Sequence, residues 1–309
     1  MLTCKKTALL SVVLVLGSLG ALSSRPPQTS PAPADDQLNA GITLLAGRRY
    51  GEAIEAFARF KQAAPQDARG YFYLGMALAE AGSLAGAASE FEEAGRLAPA
   101  RLENPIYQAN VLLRLKQKNR ATDLLDGLEK KGDVRQLAPA WLKILADDYF
   151  RLAKTEDALR ILELLSERTP DDPDIDLNRG QIYVSLGRFD VALECLQRSL
   201  GKSRHNPIAS FEVGKILYAQ NELSSAKEAL SAAVAQDNGN PKYLQKLGDA
   251  CLALGETSQA IEHLKRAEAS GPSFPEIYYS LGRAYQKSGE RAKADEYMKK
   301  FQEATSAQR

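Results

Sequence analysis

Tyr71-Phe72-Tyr73-Leu74-Gly75-Met76-Ala77-Leu78, followed by Ala87-Ala88-Ser89-Glu90-Phe91-Glu92-Glu93-Ala94, decides the fold of this chain. In both stretches apolar residues recur at i, i+3, i+4 and i+7, the spacing of one helix face rather than the alternation of a strand. Between them lies Gly82, which tolerates the left-handed backbone that commonly ends a helix. The segment therefore predicts two amphipathic helices joined by a tight turn.

Outward from this segment the same unit recurs. Pro139, Pro173, Pro207, Pro241 and Pro275 are spaced by 34 residues. Ala53, Ala87, Ala121, Ala158, Ala192, Ala226, Ala260 and Ala294 keep that period, with one step of 37. Twelve residues before each alanine stands Gly41, Gly75, Ala109, Ala146, Gly180, Gly214, Gly248 or Gly282. Four residues after each stands Phe57, Phe91, Leu125, Leu162, Leu196, Leu230, Leu264 or Met298. Gly82, Gly187, Asn221, Gly255 and Gly289 occupy equivalent turns. The phased prolines suit the first turn of a helix, where a missing N–H costs nothing. The small residue of the first helix is expected to let the alanine of the second approach closely, with residues such as Phe57 and Leu264 filling the gap to the next unit. A lone unit cannot bury its apolar faces, so stability must come from stacked neighbours.

These residues resemble the tetratricopeptide repeat, whose 34-residue signature carries an aromatic, Leu-Gly, Tyr, Ala, Phe and Pro. The second unit matches through Tyr71, Leu74, Gly75, Ala87, Phe91, Ala94 and Pro99, and the last through Tyr278, Leu281, Gly282, Tyr285 and Ala294. The resemblance implies an all-α solenoid, a right-handed superhelix of about eight repeats over 34–308. The units fall at 34–67, 68–101, 102–135, 139–172, 173–206, 207–240, 241–274 and 275–308. The third is degenerate: Pro105 and Gln108 replace the aromatic and Leu, Asp133 replaces the closing Pro, and Gln136–Ala138 are extra. That longer connection is expected to divide the array into three plus five units. No separate capping helix is expected after the eighth.

Ahead of the repeats, Lys5 and Lys6 precede an uncharged, largely apolar stretch from Thr7 to Ser24, with Ala21-Leu22-Ser23 as a cleavage-like site. Residues 1–24 read as a secretory signal peptide or, uncleaved, as a signal anchor. Either way the positive flank stays inside and the repeats are exported, to a periplasmic or secreted location. Residues 25–33 form a Pro-rich, semi-rigid spacer.

Lys and Arg number 40 against 39 Asp and Glu. Without a basic surplus, nucleic acid is not an expected partner. Cys195 and Cys251 are separated by several helix layers in the repeat register and are not expected to pair. Catalytic and cofactor-binding motifs are missing, and the histidines His205 and His263 have no ligand-spaced partner. Asp171, Asp172, Asp174 and Asp176 lack the glycine and closing glutamate of a calcium loop and suit a helix N-terminus instead. No catalytic, cofactor or metal residue is expected, and the chain reads as a non-enzyme.

In the resembled family the first helices line the concave side, with ligand-facing positions around the Gly/Ala step. One row runs Phe72, Ile106, Lys143, Leu177, Phe211, Gln245, Tyr279; a second Met76, Asn110, Asp147, Gln181, Lys215, Asp249, Arg283; a third Leu113, Phe150, Val184, Tyr218, Leu252, Gln286. From these the candidate partner-binding residues are Phe72, Met76, Asn110, Lys143, Asp147, Phe150, Gln181, Phe211, Lys215, Tyr218, Asp249, Tyr279 and Arg283. Aromatics among alternating charges suit a peptide or a partner helix; the first and third rows could equally pack between repeats. A basic clamp for a C-terminal carboxylate, which some family members carry, fails here: Lys143 and Asn178 fit, but Asp147, Ile208 and Glu212 do not. The function expected is a protein-binding scaffold. The alternative is a regulatory or substrate-presenting subunit of an enzyme complex.

Overall fold

The computed structural model describes residues 33–270 and 275–306. The expected export signal, and the expected spacer apart from Pro33, lie outside the described residues. The described residues are helical throughout, with no strand among them, and they fall into two compact units divided between Pro170 and Asp171.

In the first unit α1 (Pro33–Ala46) pairs with α2 (Tyr50–Ala63), and α3 (Ala68–Glu80) with α4 (Leu84–Leu97). Next come α5 (Glu103–Arg114) with α6 (Lys118–Asp126), a short α7 (Leu128–Lys131), and α8 (Pro139–Arg151) with α9 (Thr155–Arg168). The second unit holds α10 (Pro173–Ser185) with α11 (Phe189–Lys202) and α12 (Pro207–Ala219) with α13 (Leu223–Gln236). It closes with α14 (Pro241–Ala253), α15 (Thr257–Ala269), α16 (Pro275–Ser288) and α17 (Arg291–Ser306). Pro139, Pro173, Pro207 and Pro241 sit in the first turns of α8, α10, α12 and α14, where no intrahelical partner awaits their N–H. Asp172, Asn206 and Asn240 cap three of these helices by accepting a backbone N–H, which satisfies a donor that the helix leaves orphaned.

Within each pair the sequence phasing becomes a steric fit. A Cβ placed on Gly214 would fall 2.6 Å from Leu230 Cγ and 3.2 Å from the Ala226 carbonyl oxygen. Gly248 stands in the same relation to Leu264 (2.6 Å) and Ala260 (3.3 Å), and Gly180 to Leu196 (2.7 Å) and Ala192 (3.4 Å). The expectation placed the bulky residue in the gap to the next unit. Instead it lies over the glycine of its own pair, and Phe57, Leu230 and Leu264 are wholly buried there. The alanines approach as expected, with Ala53, Ala87, Ala121, Ala158, Ala192, Ala226 and Ala260 fully enclosed.

All eight turns between paired helices use a residue with positive φ. Gly82, Gly187, Gly255 and Gly289 lie between +71° and +91°, and Asn221 at +65°. Arg48, Lys116 and Ala153 fill the remaining three at +60°, +62° and +60°. A side chain bearing a Cβ is disfavoured there.

The third pair departs from the pattern, though not as its longer connection suggested. The helix after Gln117 ends at Asp126, and the extra residues are taken up by α7 and a 3₁₀ turn at Val134–Gln136, whose Val134 is buried. The chain is not divided there. α5 and α8 pack directly against each other through Tyr107 and Trp141, with ring centroids 5.6 Å apart, and through Asn110 and Asp148. The junction is an aromatic cluster in which Phe72 touches Tyr73, Phe91, Tyr107 and Trp141, all at 5.5–6.1 Å. Four pairs therefore form one unit and four the other. Cys195 and Cys251 are buried free thiols in the second.

Candidate functional site

In the first unit α3, α5 and α8 carry the candidate residues, and two of those are corrected. Phe72 and Met76 are core side chains, 5% and 0% exposed. Phe72 is the hub of the aromatic cluster, and Met76 has no route to solvent; neither offers a surface to a partner. Ile106 and Leu113, from the same rows, are likewise buried. Asn110 is half-buried and donates Nδ2–H to Asp148 Oδ1 at 2.9 Å. Lys143 and Phe150 are half-buried, and Asp147 is exposed, 3.9 Å from Arg151 Nη1.

Asp148 is the residue that the sequence reading missed. It is fully buried, with Arg151 Nη1 at 3.2 Å from Oδ1 while Oδ2 has no hydrogen-bond donor among the described residues. Burial pushes its pKa up to about 8 against the pull of Arg151. The equivalent positions elsewhere are Thr43, Ala77, Val111, Ile182, Ile216, Ala250 and Ala284. A lone carboxylate in a column that is otherwise apolar apart from Thr43 was the available signal.

In the second unit α10, α12, α14 and α16 bring several candidates together. Phe211 is half-buried, its ring 4.6 Å from Tyr243 on the next first helix, and Lys215 Nζ lies 5.4 Å over its face. Lys215 also pairs with Glu212 at 2.8 Å. Tyr279 is 42% exposed, with Phe301 beside it at 5.4 Å and the Arg283 guanidinium 5.8 Å over its ring. Asp249 accepts from Ser280 Oγ at 2.6 Å and Gln245 Nε2 at 3.2 Å, with Lys246 Nζ at 3.6 Å.

Burial raises the Asp249 pKa, while Ser280, Lys246 and Arg283 draw it down. Burial also raises the pKa of Tyr218, which feels the charges of both Asp249 and Arg283. Tyr218, Asp249 and Arg283, from three successive pairs, thus share one electrostatic neighbourhood. Gln181 is half-buried on α10, whereas Leu177 and Leu252 belong to the core.

Asp172 caps α10, and Asp176 is buried against Arg198 (3.2 Å) and Lys202 (2.6 Å). His205 is exposed in the loop before α12, and His263 is half-buried, its pKa lowered by burial.

Paired helices with an alanine and glycine-phased joint invite comparison with known repeats. A tetratricopeptide-repeat profile matches residues 38–101, 144–190 and 177–241, together just over half of the chain. The chain belongs to the tetratricopeptide repeat family. Further repeat profiles of the family match 248–289 and 275–307. Among solved structures, a tetratricopeptide repeat protein from Parabacteroides merdae is 14% identical with TM-score 0.59, over 77% of this chain and 93% of that one. The Cut9–Hcn1 hetero-tetramer of APC/C is 13% identical with TM-score 0.64, over 89% of this chain and 52% of that one. A MamA fragment from Desulfovibrio magneticus RS-1 is 21% identical with TM-score 0.51, over 55% and 96%. These likenesses share the fold alone. No curated protein matches the chain. Tetratricopeptide repeat proteins generally mediate protein–protein interactions and are generally not enzymes.

Proposed function

We propose that this chain is a non-catalytic scaffold that binds a peptide or partner helix on the face formed by its first helices, above all by α12, α14 and α16. The observation that carries this reading is the exposed Tyr279 beneath Arg283, continuous with the Tyr218–Asp249–Arg283 neighbourhood. An aromatic ring with a guanidinium above it, beside polar side chains already oriented by Ser280 and Gln245, is the composition of an interface anchor. Family membership supports a protein as the ligand. Residues 1–24 supply the expected export signal, and the proposed site of action is outside the cytoplasm, with or without retention of that segment as an anchor.

A photo-crosslinking residue at Tyr279 and another at Glu194, exposed on the second helix α11, separate the faces. Cross-links to one discrete protein from position 279 but not from 194 are expected, with Arg283→Glu abolishing them at unchanged melting temperature. Equal labelling from both positions would overturn the assignment of the face. Turnover by the purified chain, lost on a point substitution, would overturn the scaffold reading. Mass spectrometry of the exported protein's N-terminus tests cleavage near Ala21-Leu22-Ser23.

A further inference from the structure

The residue seven positions after the phased alanine lies on the side of each pair that meets the following pair. Phe60 and Ala94 in the first unit, and Ser199, Ala233 and Ala267 in the second, are at most 1% exposed there. The last of the series, Phe301 on α17, is only half-buried, and no helix follows it among the described residues. Tyr279 shares this open end. Phe211, two pairs earlier in the same row, packs on Tyr243 of the next first helix, whereas Tyr279 rests on Phe301 of its own pair and stays exposed.

The first pair shows what such an end holds. Its Asp35 and Phe60 stand where the eighth has Glu276 and Phe301, and no pair between them combines an acid with an aromatic at these positions. There α3 docks through Arg69-Gly70. The Arg69 guanidinium lies 5.7 Å over the Phe60 ring. Its Nη2 is 3.0 Å from Asp35 Oδ1 and 2.7 Å from Asp67 Oδ2 of its own segment. A Cβ on Gly70 would fall 2.8 Å from Phe60 Cδ1, so the glycine lets the helix close onto the ring.

The eighth pair differs from the first at Arg283, which replaces Ile42. Arg283 makes no ion pair among the described residues, and the nearby Asp249 already accepts from Ser280 and Gln245. Asn110, in the row of Arg283, meets Asp148 on a following first helix, seven residues past Trp141 at the position of Gly70. A second copy stacked head to tail is a poor occupant. Its α1 carries Asp35-Asp36 in place of Arg69-Gly70, which would set one acid against Glu276 and another on Phe301.

We propose that this end docks a helix of a partner protein, carrying Arg-Gly to grip Glu276 and Phe301 as α3 grips Asp35 and Phe60, and an acid seven residues after the glycine for Arg283. Resting on the assignment of Tyr279 and Arg283 to partner binding, the docked helix adds Glu276 and Phe301 to the site and fixes the partner's chemistry.

The test uses the full chain and a fluorescein-labelled peptide of residues 67–80 carrying Ala77→Glu, followed by anisotropy. A Kd on the order of 100 micromolar is expected, weakened at least about tenfold by Phe301→Ala. The peptide with Ala77 should bind at least about threefold more weakly. Gly70→Leu in the peptide should abolish binding, although leucine is the better helix former. Arg69→Glu in the peptide should weaken binding at least about threefold, and Glu276→Arg in the protein should restore it. The peptide changes leave the protein's fold untouched, so the result stands even where Phe301→Ala unfolds α17. Undiminished binding of the leucine peptide, or no rescue by the charge reversal, would overturn the docked helix. So would a dimer of the free chain that Phe301→Ala dissociates in light scattering, which assigns the end to a second copy. Cross-links from position 279 that survive both Phe301→Ala and excess peptide would remove the docked helix alone. Equal labelling from 279 and 194 would remove the scaffold face instead.

Discussion

Gly214→Ala and Gly282→Ala make the same chemical change at equivalent positions and should have opposite signs. The new Cβ at 214 would sit 2.6 Å from Leu230 Cγ, a branch point close to the backbone, and 3.2 Å from a backbone oxygen. Neither atom can swing aside. At 282 the nearest atoms are Met298 Cγ and Sδ, both at 3.1 Å, on an unbranched side chain that can change rotamer. Overpacking costs about 1–3 kcal/mol, while replacing a helical glycine by alanine returns about 1 kcal/mol. Gly214→Ala should therefore lose about 1–2 kcal/mol, and Gly282→Ala should lie between zero and about 1 kcal/mol of gain.

Repeat arrays need not unfold in one step, so the assay is hydrogen exchange of α12–α13 and α16–α17 amides, alongside urea titration. A further variant closes the argument. With Leu230→Ala in the background, most of the cost of Gly214→Ala should disappear, leaving only the Ala226 carbonyl contact, a coupling of about 1–2 kcal/mol. Equal effects at 214 and 282, or no coupling to Leu230, would show that the glycine–leucine contact does not set the spacing of the pair.

Asp148→Asn should stabilise the first unit at alkaline pH and flatten its pH dependence. A carboxyl of pKa about 8 when folded, against about 3.9 unfolded, holds a proton that the unfolded chain has released. Stability therefore falls as pH rises from about 4 to about 8. Asparagine keeps the acceptor for Asn110 and Arg151, and a gain of about 1–3 kcal/mol at pH 9, shrinking below pH 5, is read from urea midpoints at three pH values. Ala153→Gly, which relieves a left-handed alanine at +60°, should gain about 0.5–1 kcal/mol in the same titration. Phe211→Ala should cost about 1–3 kcal/mol through its contact with Tyr243, whereas Tyr279→Ala should leave thermal unfolding within about 0.5 kcal/mol and weaken partner capture.

The helix pairs were legible because their determinants are local and redundant: a glycine, an alanine and a bulky residue in fixed register, each repeated. The left-handed turns at Arg48, Lys116 and Ala153 could be placed only by register, since their side chains announce nothing. Phe72 illustrates what a repeat template conceals. Its row position left open whether it faces a partner or packs between repeats; Tyr107 of the third pair and Trp141 of the fourth both close over it. Asp148 was passed over in favour of its neighbour Asp147, which stands in a ligand-facing row; Asp147 is exposed, whereas Asp148 turns into the core. On α12, α14 and α16, where the repeats keep the pattern, the register predicts that Lys215, Tyr218, Asp249, Tyr279 and Arg283 lie on first helices, and none of the five is in the core; their part in binding belongs to the proposal.

The fit between Gly214 and Leu230 joins residues of a single unit, so the size of one constrains the size of the other without reference to any neighbouring unit. Where the first helix offers alanine, as at Ala109 and Ala146, the opposing residue is Leu125 or Leu162; phenylalanine and methionine appear only opposite glycine. A gene segment copied at this period carries a finished internal joint with it. Lengthening by duplication then asks only that the trailing face of one copy fit the leading face of the next.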